Sequence, residues 1–267
     1  MSFHPFSAFP GFYFHAVTQY QLHSPFVYDL VRAVLEDRRN YYAFDQIEML
    51  RFRLKSGNES VVYDDPGART SNVERRISEL VQTSASSRRQ GRRLFRLSQW
   101  LKPRRMLELG TSLGFGSAYL AAGWEHGKLD TIEGAEPLAR VAAMNLEWLK
   151  LVNATVHTGV FEHMLPEILK SGDAPDLIFF DGNHRAEPTV AYFETCLKYC
   201  GEKTLFVFDD VHWSADMEHA WKQLCAHPKV TLSIDLWDFA ILGIDPAFKV
   251  KQHFSVVPAL WKPWKFW

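Results

Sequence analysis

MLELGTSLGFGSAYLA, Met106 to Ala121, is the stretch that decides the fold. Met106 to Leu109 read as a buried strand. A glycine-rich turn follows, then small helix-compatible residues up to about Gly123. Strand, glycine turn and helix form the opening unit of a parallel α/β sheet. Ligands of such sheets bind beyond the carboxyl ends of the strands. Gly110, Gly114 and Gly116 allow the backbone a close approach to a ligand. Their spacing is not G-x-G-x-x-G, because Ser112 takes the place of the second glycine. That argues against a pyrophosphate-bearing dinucleotide.

Outward from this unit the alternation continues. KLDTIE (128–133), ATVHT (154–158), DLIFFD (176–181) and TLFVFD (204–209) read as strands. Helices are expected over about 136–151, 160–170, 188–200 and 214–227. VTLSIDLW and FAILGI close the series as an antiparallel edge hairpin joined at Asp238. Upstream, residues 1 to about 20 are aromatic and rich in turn formers. HSPFVYDLVRAVLED then begins a helix, with Ser24 as N-cap and Pro25 at the first helical position. Phe26, Leu30, Val31 and Leu35 would line its apolar face. A short apolar piece from Val61 ends in a Pro66–Gly67 turn. A long helical stretch follows from about Asn72 to Trp100, with a break near Ser84 to Ser87. The expected division is a helical cap over 1–87, a nucleotide-binding α/β domain over 88–247 and an aromatic tail over 248–267.

The 267 residues are 47% hydrophobic, enough for a sizeable core. Thirty basic residues against 31 acidic give a net charge of −1, so mean charge steers the molecule to neither nucleic acid nor anionic membrane. Cys196, Cys200 and Cys225 make no disulfide framework, and no second thiol pair supports zinc. The first residues do not read as a signal peptide, and no apolar run reaches membrane-spanning length. The expected location is the cytoplasm.

Two apolar runs end in acid, Leu177–Phe180 in Asp181 and Leu205–Phe208 in Asp209–Asp210. If the two strands are neighbours, spacing of about 5 Å brings the first two carboxylates together. Glu108 precedes the glycine turn, and Glu133 ends the second strand, where it could hold a ribose diol. An adenosine ligand without phosphate fits these features better than NAD. S-adenosylmethionine is such a ligand, and its cationic groups favour nearby carboxylates.

From RQGRRLFRLSQWLKPRRMLELGTSLGFGSAYLA, TIEG, TGVFEHMLPEIL, FFDGNH and FDDVHW, the chain resembles class I S-adenosylmethionine-dependent methyltransferases, in their metal-dependent, catechol O-methyltransferase-like group. The resemblance covers about residues 88 to 243. It implies a Rossmann-like, mostly parallel sheet of seven strands with helices on both faces and the last strand antiparallel. It implies that Glu108, Gly110, Thr111, Gly114 and Ser117 surround the methionine part of the donor, and Glu133 the ribose. Gly159, Phe161 and Glu162 would flank the adenine, and Asp181 would border the donor site. Asp181, Asp209 and Asp210 match the family's metal positions; Asp210 stands where asparagine is common. Oxygen donors suit Mg²⁺ best, with Ca²⁺ or Mn²⁺ as alternatives. Three close carboxylates repel one another unless a cation joins them. His184 stands where catechol-type enzymes carry a lysine base, and imidazole suits proton removal near neutral pH. A metal-ligand or plain loop role for His184 stays open.

The expected function is O-methylation of a small-molecule hydroxyl. The alternatives are metal-free transfer to nitrogen or oxygen, and a non-catalytic protein that binds the donor. His212, Trp213 and Asn183 are weaker pocket candidates, and Tyr20, His23 and Tyr63 weaker still. Arg88, Arg89, Arg92, Arg93 and Arg96 read as a solvated helix face, with no nucleic-acid module. Trp261, Trp264 and Trp267 suggest packing on the protein's own surface or on a second subunit, so a homodimer stays open.

Overall fold

The computed structural model describes residues 4–65 and 70–265. Helices α1 (His4–His15), α2 (Pro25–Val34) and α3 (Tyr42–Ser56) lead into a hairpin of β1 (Ser60–Asp65) and β2 (Thr70–Arg76). Helices α4 (Ile77–Thr83) and α5 (Arg88–Leu101) follow. The alternating part runs β3 (Arg105–Leu109), α6 (Phe115–Gly123), β4 (Lys128–Glu133), α7 (Glu136–Trp148), β5 (Ala154–Thr158), α8 (Phe161–Lys170), β6 (Leu177–Phe180), α9 (Ala186–Cys196), β7 (Leu205–Asp209) and α10 (Ala215–Ala226). The chain closes with β8 (Leu232–Asp235), β9 (Phe239–Gly243) and β10 (Gln252–Ser255).

The main sheet has the order β10-β8-β9-β7-β6-β3-β4-β5. Only β9 runs antiparallel to its neighbours, between β7 and β8. The α/β architecture is therefore as expected, but the sheet has eight strands rather than seven. The eighth, β10, pairs in parallel with β8, so the last strand in the chain is not the antiparallel one.

Alternation of side chains across the pleat explains the two helix layers. Met106, Leu177, Phe179, Leu205 and Val207 face a layer containing α2 to α7. Leu107, Ile178, Phe180, Phe206 and Phe208 face α8, α9 and α10. The same period puts Glu108, Asp181 and Asp209 on the first face. Strand register sets Phe180 beside Phe208 and beside Leu109, so the acids that follow emerge together.

The N-terminal third departs from expectation. Asn72 to Arg76 form a strand, not a helix, because they pair with β1 from Ser60↔Arg76 to Tyr63↔Val73. Pairing and burial of Tyr63 and Ile77 outweigh the helix preference of the Glu and Arg residues. The anticipated break holds: α4 ends at Thr83, and the Ser87 hydroxyl accepts from the Gln90 N–H at 3.2 Å to cap α5. The aromatic N-terminus is helical through α1 despite Pro10. The expected Pro66–Gly67 turn and Trp267 lie outside the described residues.

The arginine band is solvated only in part: Arg88 and Arg89 are exposed and pair with Glu48 and Asp238. Arg93 and Arg96 are buried. Arg93 pairs with Asp238, Arg96 donates to the Arg39 carbonyl at 3.0 Å, and Arg92 lies over the Phe44 ring. Planar guanidinium groups can enter a core when partners meet their donors. Among the described residues no helix is long and apolar enough to cross a membrane.

Candidate functional site

Two clefts open at the carboxyl ends of β3, β4, β6 and β7. The first, about 210 Å³, is lined by Gly110, Ser112, Glu133, Gly134, Val160, Phe161, Glu162, Asp181, Gly182, Asn183 and Tyr192. The second, about 640 Å³, is lined by the 83–87 loop, Arg89 and Gln90 of α5, Asp181 to His184, Asp209, Asp210, His212, Trp213, Trp237 and Asp238. Ser112, Asp181, Gly182 and Asn183 border both, so the clefts meet across one short wall.

Backbone strain gathers here. Of the seven non-glycine residues with positive φ among the described residues, Ser112, Asn183, Asp210 and Trp237 line these clefts. Such conformations persist where surrounding structure holds them. Gly110, at φ 102°, has a different reason to be bare: a Cβ there would collide with the Asp181 carbonyl. A Cβ on Gly182 would meet the Phe161 ring at 2.8 Å, so that ring packs closely against the second turn.

Glu133 is held at the tip of β4 by two backbone donors, Ser112 N–H at 2.7 Å and Ala135 N–H at 2.9 Å. Glu162 accepts from the Tyr192 hydroxyl at 2.6 Å, and Tyr192 meets Phe161 edge-on. Glu108, Thr111, Gly114, Ser117 and Gly159 line neither cleft. Glu108, Thr111 and Ser117 stand behind the wall in one buried network. Thr131 donates to Glu108 Oε2 at 2.6 Å and meets the Thr111 hydroxyl at 2.6 Å; Ser117 also donates to Oε2. Glu108 Oε1 has no partner. Burial pushes the Glu108 carboxyl up to about 7, against the two hydroxyl donors.

Asp181, Asp209, Asp210 and His184 all line the second cleft. Asp209 Oδ1 accepts from Gln90 Nε2 at 2.5 Å and from the Asp210 N–H at 2.8 Å. Burial first, then the Asp209 charge, holds the Asp181 carboxyl well above its ordinary range. The same two causes push Asp210 up to about 6, with His184 opposing. His184 Nε2 lies 3.9 Å from Asp181 Oδ1, and its side chain is 34% exposed. The expected three-aspartate metal set is not formed as such: among the described residues no group of three His, Cys, Asp or Glu side chains is arranged to hold a metal ion. One Asp209 oxygen, Oδ1, already accepts from Gln90 and from the Asp210 amide.

Ser86 and Gln90 were missed from sequence. Ser86 donates to Asp181 Oδ2 at 3.4 Å, across 95 residues of chain. The S-x-x-Q capping box at Ser87 and Gln90 was a readable signal for the helix start, though not for the Asp209 contact. Tyr192 and Trp237 also carried no local signal. His212, Trp213 and Asn183 do reach the second cleft, whereas Tyr20, His23 and Tyr63 line neither.

Comparison with known proteins bears on the family and the fold. Residues 107–211 match a family described as a methyltransferase domain. The catechol O-methyltransferase of Niastella koreensis is 32% identical over 125 residues, 46% of this chain and 56% of that protein. The catechol O-methyltransferase of Mycobacterium tuberculosis is 30% identical over 156 residues, 58% of this chain and 69% of that protein. Among solved structures, an O-methyltransferase from Bacillus cereus in complex with S-adenosylhomocysteine superposes with a TM-score of 0.56 at 22% identity, covering 79% of this chain and 93% of that one. The S-adenosylhomocysteine-bound Podospora anserina methyltransferase gives 0.57 at 17% identity, over 84% and 97%. Those two structures speak to the fold, and the family follows from the sequence match: the chain belongs to the class I S-adenosylmethionine-dependent methyltransferases, in their catechol O-methyltransferase-like group.

Proposed function

We propose that the protein transfers the methyl group of S-adenosylmethionine to a hydroxyl oxygen of a small molecule. The observation that carries this is the meeting of the two clefts at Asp181–Asn183 and Ser112. A donor whose nucleoside sits in the first would place its sulfonium methyl at the shared border, where a hydroxyl in the second could approach it in line.

The residues present fit the donor. Gly110 and Gly182 leave backbone bare at the wall, Phe161 offers an apolar plate for a base, and Glu133 is held ready for a ribose diol. The orphaned Glu108 Oε1 is a buried acceptor suited to a cationic group on the methionine side. When bound, S-adenosylmethionine supplies an electrophilic methyl carbon on a sulfonium. The acceptor oxygen takes that carbon as the carbon–sulfur bond breaks, and its proton passes to His184. Loss of the sulfonium charge is favoured where water is excluded.

Asp181, Asp209 and Asp210 are hard oxygen donors, and their chemistry suits a divalent cation, Mg²⁺ first. A bound cation would relieve the repulsion that, after burial, holds the Asp181 carboxyl up. Such an ion supplies Lewis acidity that lowers the pKa of a bound hydroxyl. A second reading is metal-free transfer with His184 alone, favoured by the position of its Nε2 in the same cleft, 3.9 Å from Asp181 Oδ1.

The test is incubation with S-adenosylmethionine and a panel headed by catechol and other phenols, with mass spectrometry of both products. S-adenosylhomocysteine and a methyl ether should appear together. Tight binding of S-adenosylhomocysteine with no methyl ether from any acceptor would instead leave a donor-binding protein without catalysis.

A further inference from the structure

We propose that helix α1 determines acceptor specificity by bracing Trp237, a wall of the acid-lined cleft; this rests on the reading of that cleft as the acceptor site. Trp237 lies in the β8–β9 connection at φ 75°, a conformation a bulky residue adopts only under constraint. The constraint is visible on every side. Its N–H donates to Asp235 Oδ1 at 2.9 Å, and its ring stacks on His212 at 4.5 Å and 14°. From α1, Phe9 meets the ring edge-on at 4.8 Å and Phe12 leans on it at 5.1 Å. The next residue, Asp238, is pinned by Arg93 and Arg89.

Helix α1 is itself clasped by the other end of the chain. The Tyr13 hydroxyl donates to the Trp261 carbonyl at 2.6 Å, and the buried Lys262 ammonium donates to the Ala16 carbonyl at 2.7 Å. Val17 N–H bonds Ser255 and Val257 N–H bonds Val17, which ties the segment to the sheet edge beyond β10. Phe12, Ala16 and Val257 form a small cluster separate from the two main cores. The brace can therefore loosen without disturbing the sheet or the first cleft. Phe9 and Phe12 are positioning residues, and Trp237 is the surface an acceptor meets.

Two variants of the full chain test this: Phe9→Ala with Phe12→Ala, and Phe12→Leu, which keeps most of the volume. Amide exchange is followed by mass spectrometry, and catechol and a naphthalenediol are titrated by calorimetry onto the S-adenosylhomocysteine complex. In the double alanine variant, exchange at Leu236–Phe239 should rise about fivefold, while Met106–Gly116 stays as in the parent. The affinity ratio should move about fivefold towards the bulkier diol, with S-adenosylhomocysteine affinity unchanged. Phe12→Leu should restore both. Unchanged exchange at Leu236–Phe239 overturns the brace. Faster exchange with an unchanged ratio, or no binding of either diol, overturns the specificity role. Methyl transfer is assayed separately, so failure of the activity reading shows as bound diol that is never methylated.

Discussion

Replacing Glu108 by glutamine separates the charge of a buried acid from its shape. Glu108 is fully buried, with Ser117 and Thr131 donating to one oxygen and nothing meeting the other. Its carboxyl rises from 4.5 to about 7, chiefly through burial. The folded state therefore holds this proton more tightly than the unfolded chain. Stability from this group is fully present below pH 4.5 and is lost as pH rises through about 7. At about 1.4 kcal/mol per pH unit, the interval amounts to about 3 kcal/mol. Glutamine keeps an acceptor for both hydroxyls and cannot ionise. Its amide leaves a buried N–H where Oε1 was, an offset of about 1–3 kcal/mol that does not vary with pH. Urea unfolding at a series of pH values from 5 to 8 should show the parent losing about 3 kcal/mol more than Glu108→Gln across the range. Asp210 titrates alike in both proteins and cancels in the difference; Asp181 is relieved of the Glu108 charge in the variant, a smaller cause of its raised carboxyl than burial and Asp209. Parallel stability curves would refute the reasoning, because they would mean that Glu108 is ionised at no net cost.

Four further outcomes are expected. Gly110→Ala forces a Cβ into the Asp181 carbonyl at φ 102° and should cost about 3 kcal/mol in thermal or urea unfolding, with S-adenosylhomocysteine binding lost in titration. His184→Ala should lower turnover about 100-fold with S-adenosylhomocysteine affinity within about twofold; equal losses in both would remove the base role. Exhaustive chelation should lower methyl transfer at least about tenfold, with recovery on adding Mg²⁺, and undiminished turnover would favour the metal-free reading. Arg93→Met leaves the buried Asp238 only the exposed Arg89 as a partner and should cost about 3 kcal/mol in urea unfolding, most of it recovered by adding Asp238→Leu.

The strand tips show where sequence reading succeeds. Apolar runs ending in acid at Asp181 and Asp209 needed only period-2 alternation and a neighbour relation, and the sheet order supplies that neighbour. The glycine turn was legible for the same reason, because Gly110 answers a backbone constraint that no side chain can meet. The misses share a different cause. Residues Asn72 to Arg76 run without a break into the helix that follows, and only pairing with β1 makes them a strand. The half-buried β10 has no apolar alternation and exists because β8 offers it an edge. Arg93 and Arg96 looked solvated because their partners, Asp238 and Arg39, lie far off in sequence.

The sequence by itself determined the repeating strand-and-helix units, the bare turn at Gly110 and the acids at the tips, since each follows from burial or backbone freedom within a few residues. Tertiary structure alone decided how those acids meet. Gln90 reaches Asp209 over 119 residues, Ser86 reaches Asp181 over 95, and Phe9 meets both Trp237 and Trp261. Contacts of that span depend on packing of whole elements, and a hydrogen bond or ring contact between distant residues leaves no mark on the residues near either partner.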